Sequence, residues 1–303
     1  MKIEKTVWNR KSAYSLKNGL MEVIVNPQDG MNIYDITYRG RQLTSWNEEK
    51  YQNRATYAIP VLYPTPNRSD GLKIRVGEEQ YDARMHGLIR LLPFEVTKME
   101  CTEASVLLTG SLKWDENQAD FAMFPFPSTL HITVEVKENE VIWSYEVENQ
   151  GERELPYGIA IHPYFSKRGQ NVTITVPADS VMEMTEEKIP TGKVIPVGET
   201  VPDLRQPTAV AELNLDHVFT DCHKGECAVI TYDDCTISLK ASEEFGHIVV
   251  FTPEAPFFCI ENQSCSTDCF NLYAKGFEKE SGLLTVKPGE KRGGAIQFIC
   301  AER

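Results

Sequence analysis

The chain has no CxxC pair among its eight cysteines (Cys101, Cys222, Cys227, Cys235, Cys259, Cys265, Cys269 and Cys300). The spacings Cys222-x4-Cys227 and Cys265-x3-Cys269 do not match a zinc site, so no metal is expected. Free thiols are expected instead, since a core this large needs no disulfide stapling. No GxGxxG follows a strand, and GxxxxGK(S/T), HExxH and GxSxG are all missing, which removes support for dinucleotide, nucleotide, zinc-protease and serine-hydrolase chemistry. Basic runs are absent too. With 31 Lys and Arg against 44 Asp and Glu the formal net charge is −13, so neither nucleic acid nor an anionic membrane is an expected partner. No apolar segment is long enough to span a bilayer, and MKIEKTVWNR is not followed by an apolar stretch; the expected location is cytoplasmic.

Amphipathic helices of normal length are also lacking, and alternation of period two takes their place. Over residues 128–137, Leu130, Ile132, Val134 and Val136 fall on one face and His131, Thr133, Glu135 and Lys137 on the other. After a polar turn at Glu138 and Asn139, Val141, Trp143, Tyr145 and Val147 alternate in the same way, which predicts a hairpin. Similar runs recur at 20–26, 32–40, 105–114, 171–177, 227–233, 235–241, 247–253, 257–263 and 294–300, punctuated by 17 prolines and 19 glycines. The predicted fold class is all-β, a large antiparallel β-sandwich with few short helices. No linker or fixed-period repeat divides the chain, so residues 1–303 are expected to form one domain.

One run is interrupted by chemistry. In GIAIHPYF (158–165), parity puts Tyr157, Ile159, Ile161 and Pro163 on one strand face and Gly158, Ala160 and His162 on the other. Two small residues leading to an imidazole read as a sheet surface onto which something else fits. Alternatively, a facing element covers the small residues and the imidazole is satisfied within the core. Companions decide between these, and several polar residues stand in apolar or turn contexts. Glu261 shares its strand face with Phe257 and Cys259, surroundings that raise a carboxyl pKa and suit a general base. His86 precedes Gly87, Arg68 lies in the turn-rich YPTPNRSDG, and Asp216 shares parity with Asn214 and Val218.

In chain order, Asn67-Arg68, His86-Gly87, His162-x-Tyr164-Phe165, Asp216-His217-x-Phe219 and Ile260-Glu261-Asn262-Gln263 form a set that resembles the aldose 1-epimerase, or galactose mutarotase-like, family. The matching points run from about residue 60 to 271, and NPQDGMNIYDITYRGRQL resembles the family's opening strands. The resemblance implies a galactose mutarotase-like supersandwich whose concave face binds a sugar. It implies an isomerase that needs no cofactor, with Glu261 as the base at the anomeric hydroxyl and His162 as the acid at the ring oxygen. His86 would then bind near the ring oxygen, and Asn67, Arg68 and Asp216 would contact the substrate. Aromatic residues such as Tyr63, Phe126 and Tyr164 offer faces for packing on a sugar.

Two departures leave the sugar open: His86-Gly87 is followed by Leu88, Ile89 and Arg90 where many members have a second glycine, and Glu261 by Asn262 where proline is frequent. Arg90 is a candidate phosphate ligand, and it shares parity with His86 only if the segment is extended. The expected activity is interconversion of the anomers of a free hexose such as glucose or galactose, in carbohydrate metabolism. A hexose-6-phosphate 1-epimerase and a non-catalytic carbohydrate-binding sandwich are the alternatives.

Overall fold

In the strand Ser128–Val136 buried and half-buried residues alternate without a break, and its neighbour Glu140–Asn149 does the same. Their pairing places Val136 opposite Val141 and Leu130 opposite Val147, the hairpin that the alternation predicts. In a computed structural model, which describes residues 1–169 and 171–303, this hairpin lies within an antiparallel sheet of nine strands. Its long central members are Cys235–Ala241, Lys291–Glu302, Glu140–Asn149, Ser128–Val136 and Val106–Trp114. One edge strand, Glu95–Cys101, is mostly exposed and carries Glu95, Lys98 and Glu100, charges that discourage pairing with another chain.

A second antiparallel sheet packs against the first. Its path runs Pro190–Pro196, Ala178–Met184, Asp216–Cys222, His247–Phe251, Phe257–Gln263, Ala160–Ile161 and Val61–Leu62, and Tyr164–Ser166 also pairs with Phe257–Gln263. Phe165 joins the two layers, its ring 5.8 Å from Phe258 in its own sheet and 6.2 Å from Phe298 in the nine-stranded one. Phe258 and Ile260 therefore face the inter-sheet core. The alternate residues Cys259 and Glu261 point to the sheet's other face. An N-terminal sheet of five strands, Lys2–Trp8 through Arg41–Gln42, lies along the same core, and its first two strands are not among the runs that alternation predicts. Among the described residues the three α-helices are short: Glu48–Gln52, Cys269–Ala274 and Glu278–Ser281. Among the described residues no helix is long and apolar enough to cross a membrane, and all eight cysteines are free.

The stretch 158–165 is not one strand. It is divided into Ala160–Ile161 and Tyr164–Ser166, with Leu155–Tyr157 pairing elsewhere, and all of residues 155–165 are buried. Gly158 is no open platform either. A Cβ there would lie 2.2 Å from Cys265 Sγ and 3.0 Å from Pro66 Cδ, so protein covers the glycine, as the alternative account required.

Candidate active site

Glu261 is only 1% exposed and stands on a strand in which all seven residues are buried. A bare carboxylate there would be strongly disfavoured, and the surroundings supply it with partners. Its Oε2 accepts a 2.9 Å hydrogen bond from Nε2 of Gln263, the next residue on the same strand face. Gln263 is fixed in turn by Asn67, whose Nδ2 donates to Gln263 Oε1 at 2.9 Å and to Thr267 Oγ1 at 2.8 Å. Burial still dominates and raises the Glu261 carboxyl well above the ordinary value, with Gln263 pulling the other way.

The second oxygen, Oε1, lies 3.4 Å from Nε2 of His162, slightly beyond a normal hydrogen bond. His162 reaches this position because its N–H donates to the Pro60 carbonyl at 3.1 Å, and because Pro163 restrains the preceding residue to extended backbone. Its ring stacks on that of Tyr164, with centroids 4.6 Å apart and planes 1° from parallel. The Tyr164 hydroxyl is held at 2.6 Å by Thr56 Oγ1 and accepts from Lys50 Nζ at 3.3 Å. Burial, then the neighbouring His86, drives the His162 pKa well below the usual imidazole value.

His86 closes the site from the loop side. Its backbone is left-handed (φ 65°), and its N–H donates to the Asn67 carbonyl at 2.6 Å. Gly87 follows, also left-handed, where a Cβ would come within 2.1 Å of the Tyr63 carbonyl oxygen; only glycine fits that approach. The His86 ring stands edge-on to His162 at 5.4 Å, and burial lowers its pKa to about 3, so it is neutral. Opposite, both Arg68 terminal nitrogens lie 3.4 Å from Asp216 Oδ2, and the two side chains are 29% and 31% exposed.

These residues border one pocket that is open to solvent. Glu261, His162, His86, Arg68, Asp216 and Asn67 all line it. Asn67 contributes chiefly by positioning, since its amide is engaged with Gln263 and Thr267. Arg90 is the exception. Residues 86–90 are not the extended segment its assignment required, since His86 and Gly87 are both left-handed, and its guanidinium donates to the carbonyls of Ala55 (2.9 Å) and Arg54 (2.7 Å) outside the lining. Tyr63 and Phe126 are in the main core, so of the three aromatics only Tyr164 borders the pocket.

Sequence reasoning missed Gln263, although its parity with Glu261 in FFCIENQ was a usable signal. It also missed Lys50. That lysine sits in the short helix Glu48–Gln52, far along the chain from every motif, with its ammonium over the rings of Tyr164 (4.7 Å) and Phe257 (4.8 Å). Chemically, the arrangement offers two proton-transfer groups side by side, one neutral imidazole beside them, and a charged pair able to bind hydroxyl groups.

The model of the family described as aldose 1-epimerase matches residues 12–298. The chain is 23% identical over 259 residues to the uncharacterized protein YihR of Escherichia coli (strain K12), covering 80% of each chain. It is 32% identical over 115 residues to galactose mutarotase of Homo sapiens, covering 34% of this chain and 32% of that protein. Among solved structures, a galactose mutarotase-like protein from Clostridium acetobutylicum superposes with a TM-score of 0.87 at 20% identity, covering 100% of this chain and 98% of the other. Galactose 1-epimerase from Lactobacillus acidophilus gives a TM-score of 0.79 at 15% identity, covering 99% and 98%.

Proposed function

Since the chain belongs to the aldose 1-epimerase family, we propose that it interconverts the α and β anomers of a free hexose such as glucose or galactose by opening and reclosing the ring. The observation that carries this reading is the 3.4 Å approach of His162 Nε2 to Glu261 Oε1 on the wall of a pocket shared with Arg68, His86 and Asp216. Opening a hemiacetal takes a proton from the anomeric hydroxyl and gives one to the ring oxygen as the C1–O5 bond breaks. Glu261 accepts the first and His162 delivers the second. Rotation about C1–C2 of the aldehyde and reversal of the transfers produce the other anomer.

For this the pair must hold one proton between its two members. Burial favours the neutral arrangement, a protonated Glu261 beside a neutral His162, by raising the one pKa and lowering the other. The reactive arrangement, carboxylate and imidazolium, has the same proton count and is reached by a single transfer across the short gap. The apparent pKa values therefore belong to the pair and not to either residue. The Gln263 and Asn67 amides that fix the carboxylate favour an enzyme over a passive sugar-binding sandwich, since a binder has no use for an aimed base.

A sugar with an anionic substituent, such as a hexose 6-phosphate, is the second reading. It is favoured by Lys50, whose ammonium borders the pocket with no carboxylate partner among the described residues. Polarimetry of freshly dissolved α-glucose, α-galactose and glucose 6-phosphate tests both readings. Acceleration beyond buffer with the free sugars supports the first, selective acceleration of the phosphate ester supports the second, and none with any of them defeats the enzymatic reading.

A further inference from the structure

Cys259 takes no part in the proton transfers, yet it stands two residues before Glu261 on the same strand and therefore on the same face. Its Sγ, a ring nitrogen of His162 and a carboxylate oxygen of Glu261 all lie within 4.8 Å of one another, and all three residues are buried. We propose that these three side chains form a binding site for a borderline-soft divalent cation such as Zn²⁺ or Co²⁺, and that the bound cation excludes the sugar.

The donor set is the first argument. Thiolate, imidazole and carboxylate are the three ligand types zinc takes, and three protein donors with the fourth direction facing a pocket form an open tetrahedral site. Geometry agrees. Bonds of about 2.0 to 2.3 Å set tetrahedral donors about 3.3 to 3.7 Å apart. The 3.4 Å between His162 Nε2 and Glu261 Oε1 already falls in that range, and the sulfur lies within 4.8 Å of both. Gln263 holds the other oxygen of Glu261 and so leaves Oε1 as the ligand, the outer hydrogen bond that orients ligating carboxylates.

Charge supplies the third argument. Binding releases the thiol proton, and the carboxyl proton where present. One thiolate, one carboxylate and one neutral imidazole then cancel the two positive charges of the ion, so the buried complex carries no net charge. Burial and the neighbouring Glu261 hold the Cys259 thiol well above its ordinary value, with the Lys50 ammonium pulling the other way, so the cation has to displace the thiol proton. The site leaves no local pattern in the sequence, because Cys259 and Glu261 come from one strand and His162 from the break between two short strands far away in the chain.

The test is titration of the reduced, metal-free protein with Co²⁺, followed by absorption. Wild type should show the near-ultraviolet band of a cobalt–thiolate bond together with the visible bands of tetrahedral cobalt. In Cys259→Ser the thiolate band should disappear, and Co²⁺ affinity should fall by more than the about 10- to 100-fold that loss of an outer partner brings. Glu261→Gln should weaken binding while keeping the thiolate band. Absence of that band in wild type, or its persistence in Cys259→Ser, overturns the proposal. This readout does not depend on catalysis. Where mutarotation is measurable, Zn²⁺ should inhibit wild type, and Cys259→Ser should turn over at close to the wild-type rate and resist Zn²⁺; equal inhibition of both also overturns the proposal.

Discussion

Gln263 donates from Nε2 to Oε2 of Glu261 at 2.9 Å, although the two residues are separated by only one position on a single strand. The bond favours the charged carboxylate and opposes the upward pull of burial. Gln263→Leu is therefore expected to raise the pKa of the carboxyl further. A hydrogen bond to a charged group contributes about 1.5 to 3 kcal/mol, so the alkaline limb of the pH–rate profile, where the pair loses its shared proton, should move up by roughly one pH unit or more. Polarimetric rates across pH check this, and a lower rate with an unmoved limb would limit Gln263 to a packing role.

The acid–base pair is expected to behave as a unit. Glu261→Gln and His162→Asn should each reduce kcat by about 10² to 10⁴ while KM changes little. The double variant should be hardly slower than the worse single variant. Additive losses, measured by polarimetry at saturating sugar, would argue that the two groups act in separate steps.

His247 gives a pH-dependent stability unrelated to the site. It is buried against the Glu280 carbonyl at 3.1 Å, and burial lowers its pKa from 6.5 to about 4. Between those values the unfolded chain binds a proton that the folded one does not, so stability falls as pH drops from 6.5 to about 4. Over that window the difference is roughly 3 kcal/mol. Urea denaturation at pH 7 and pH 4.5 should show wild type losing more stability than His247→Gln, and parallel losses would exclude the assignment.

At Gly158, the contact with Cys265 Sγ makes an added methyl group a packing fault. Gly158→Ala is expected to destabilise by about 1 to 3 kcal/mol. Adding Cys265→Ala should restore part of this, with Pro66 still in the way. Thermal melts of the two variants decide it; no rescue would place the strain elsewhere.

The sheets were largely legible because burial on one face writes itself into the chain as alternation, most cleanly from Ser128 to Asn149. The pocket residues were legible as an ordered set, and His162 and Glu261 do meet there. Parity failed where the backbone leaves the extended region. Left-handed His86 and Gly87 turn the chain, which carries Arg90 to the carbonyls of Arg54 and Ala55. The same limit hid the interruption at 158–165. A covering side chain such as Cys265 leaves no mark on the sequence of the strand it covers, so Gly158 alone did not reveal what lies against it.

Glu261 belongs to a strand buried along its whole length, whereas Arg68 and His86 come from turns, Asp216 opens one strand and Met184 closes another. Alterations at the floor are therefore expected to disturb folding as well as reactivity, and alterations at the half-exposed Arg68 and Asp216 chiefly recognition. If the proposed reaction holds, substitutions in the turns would change which sugar is held while the buried strand keeps Glu261 in place.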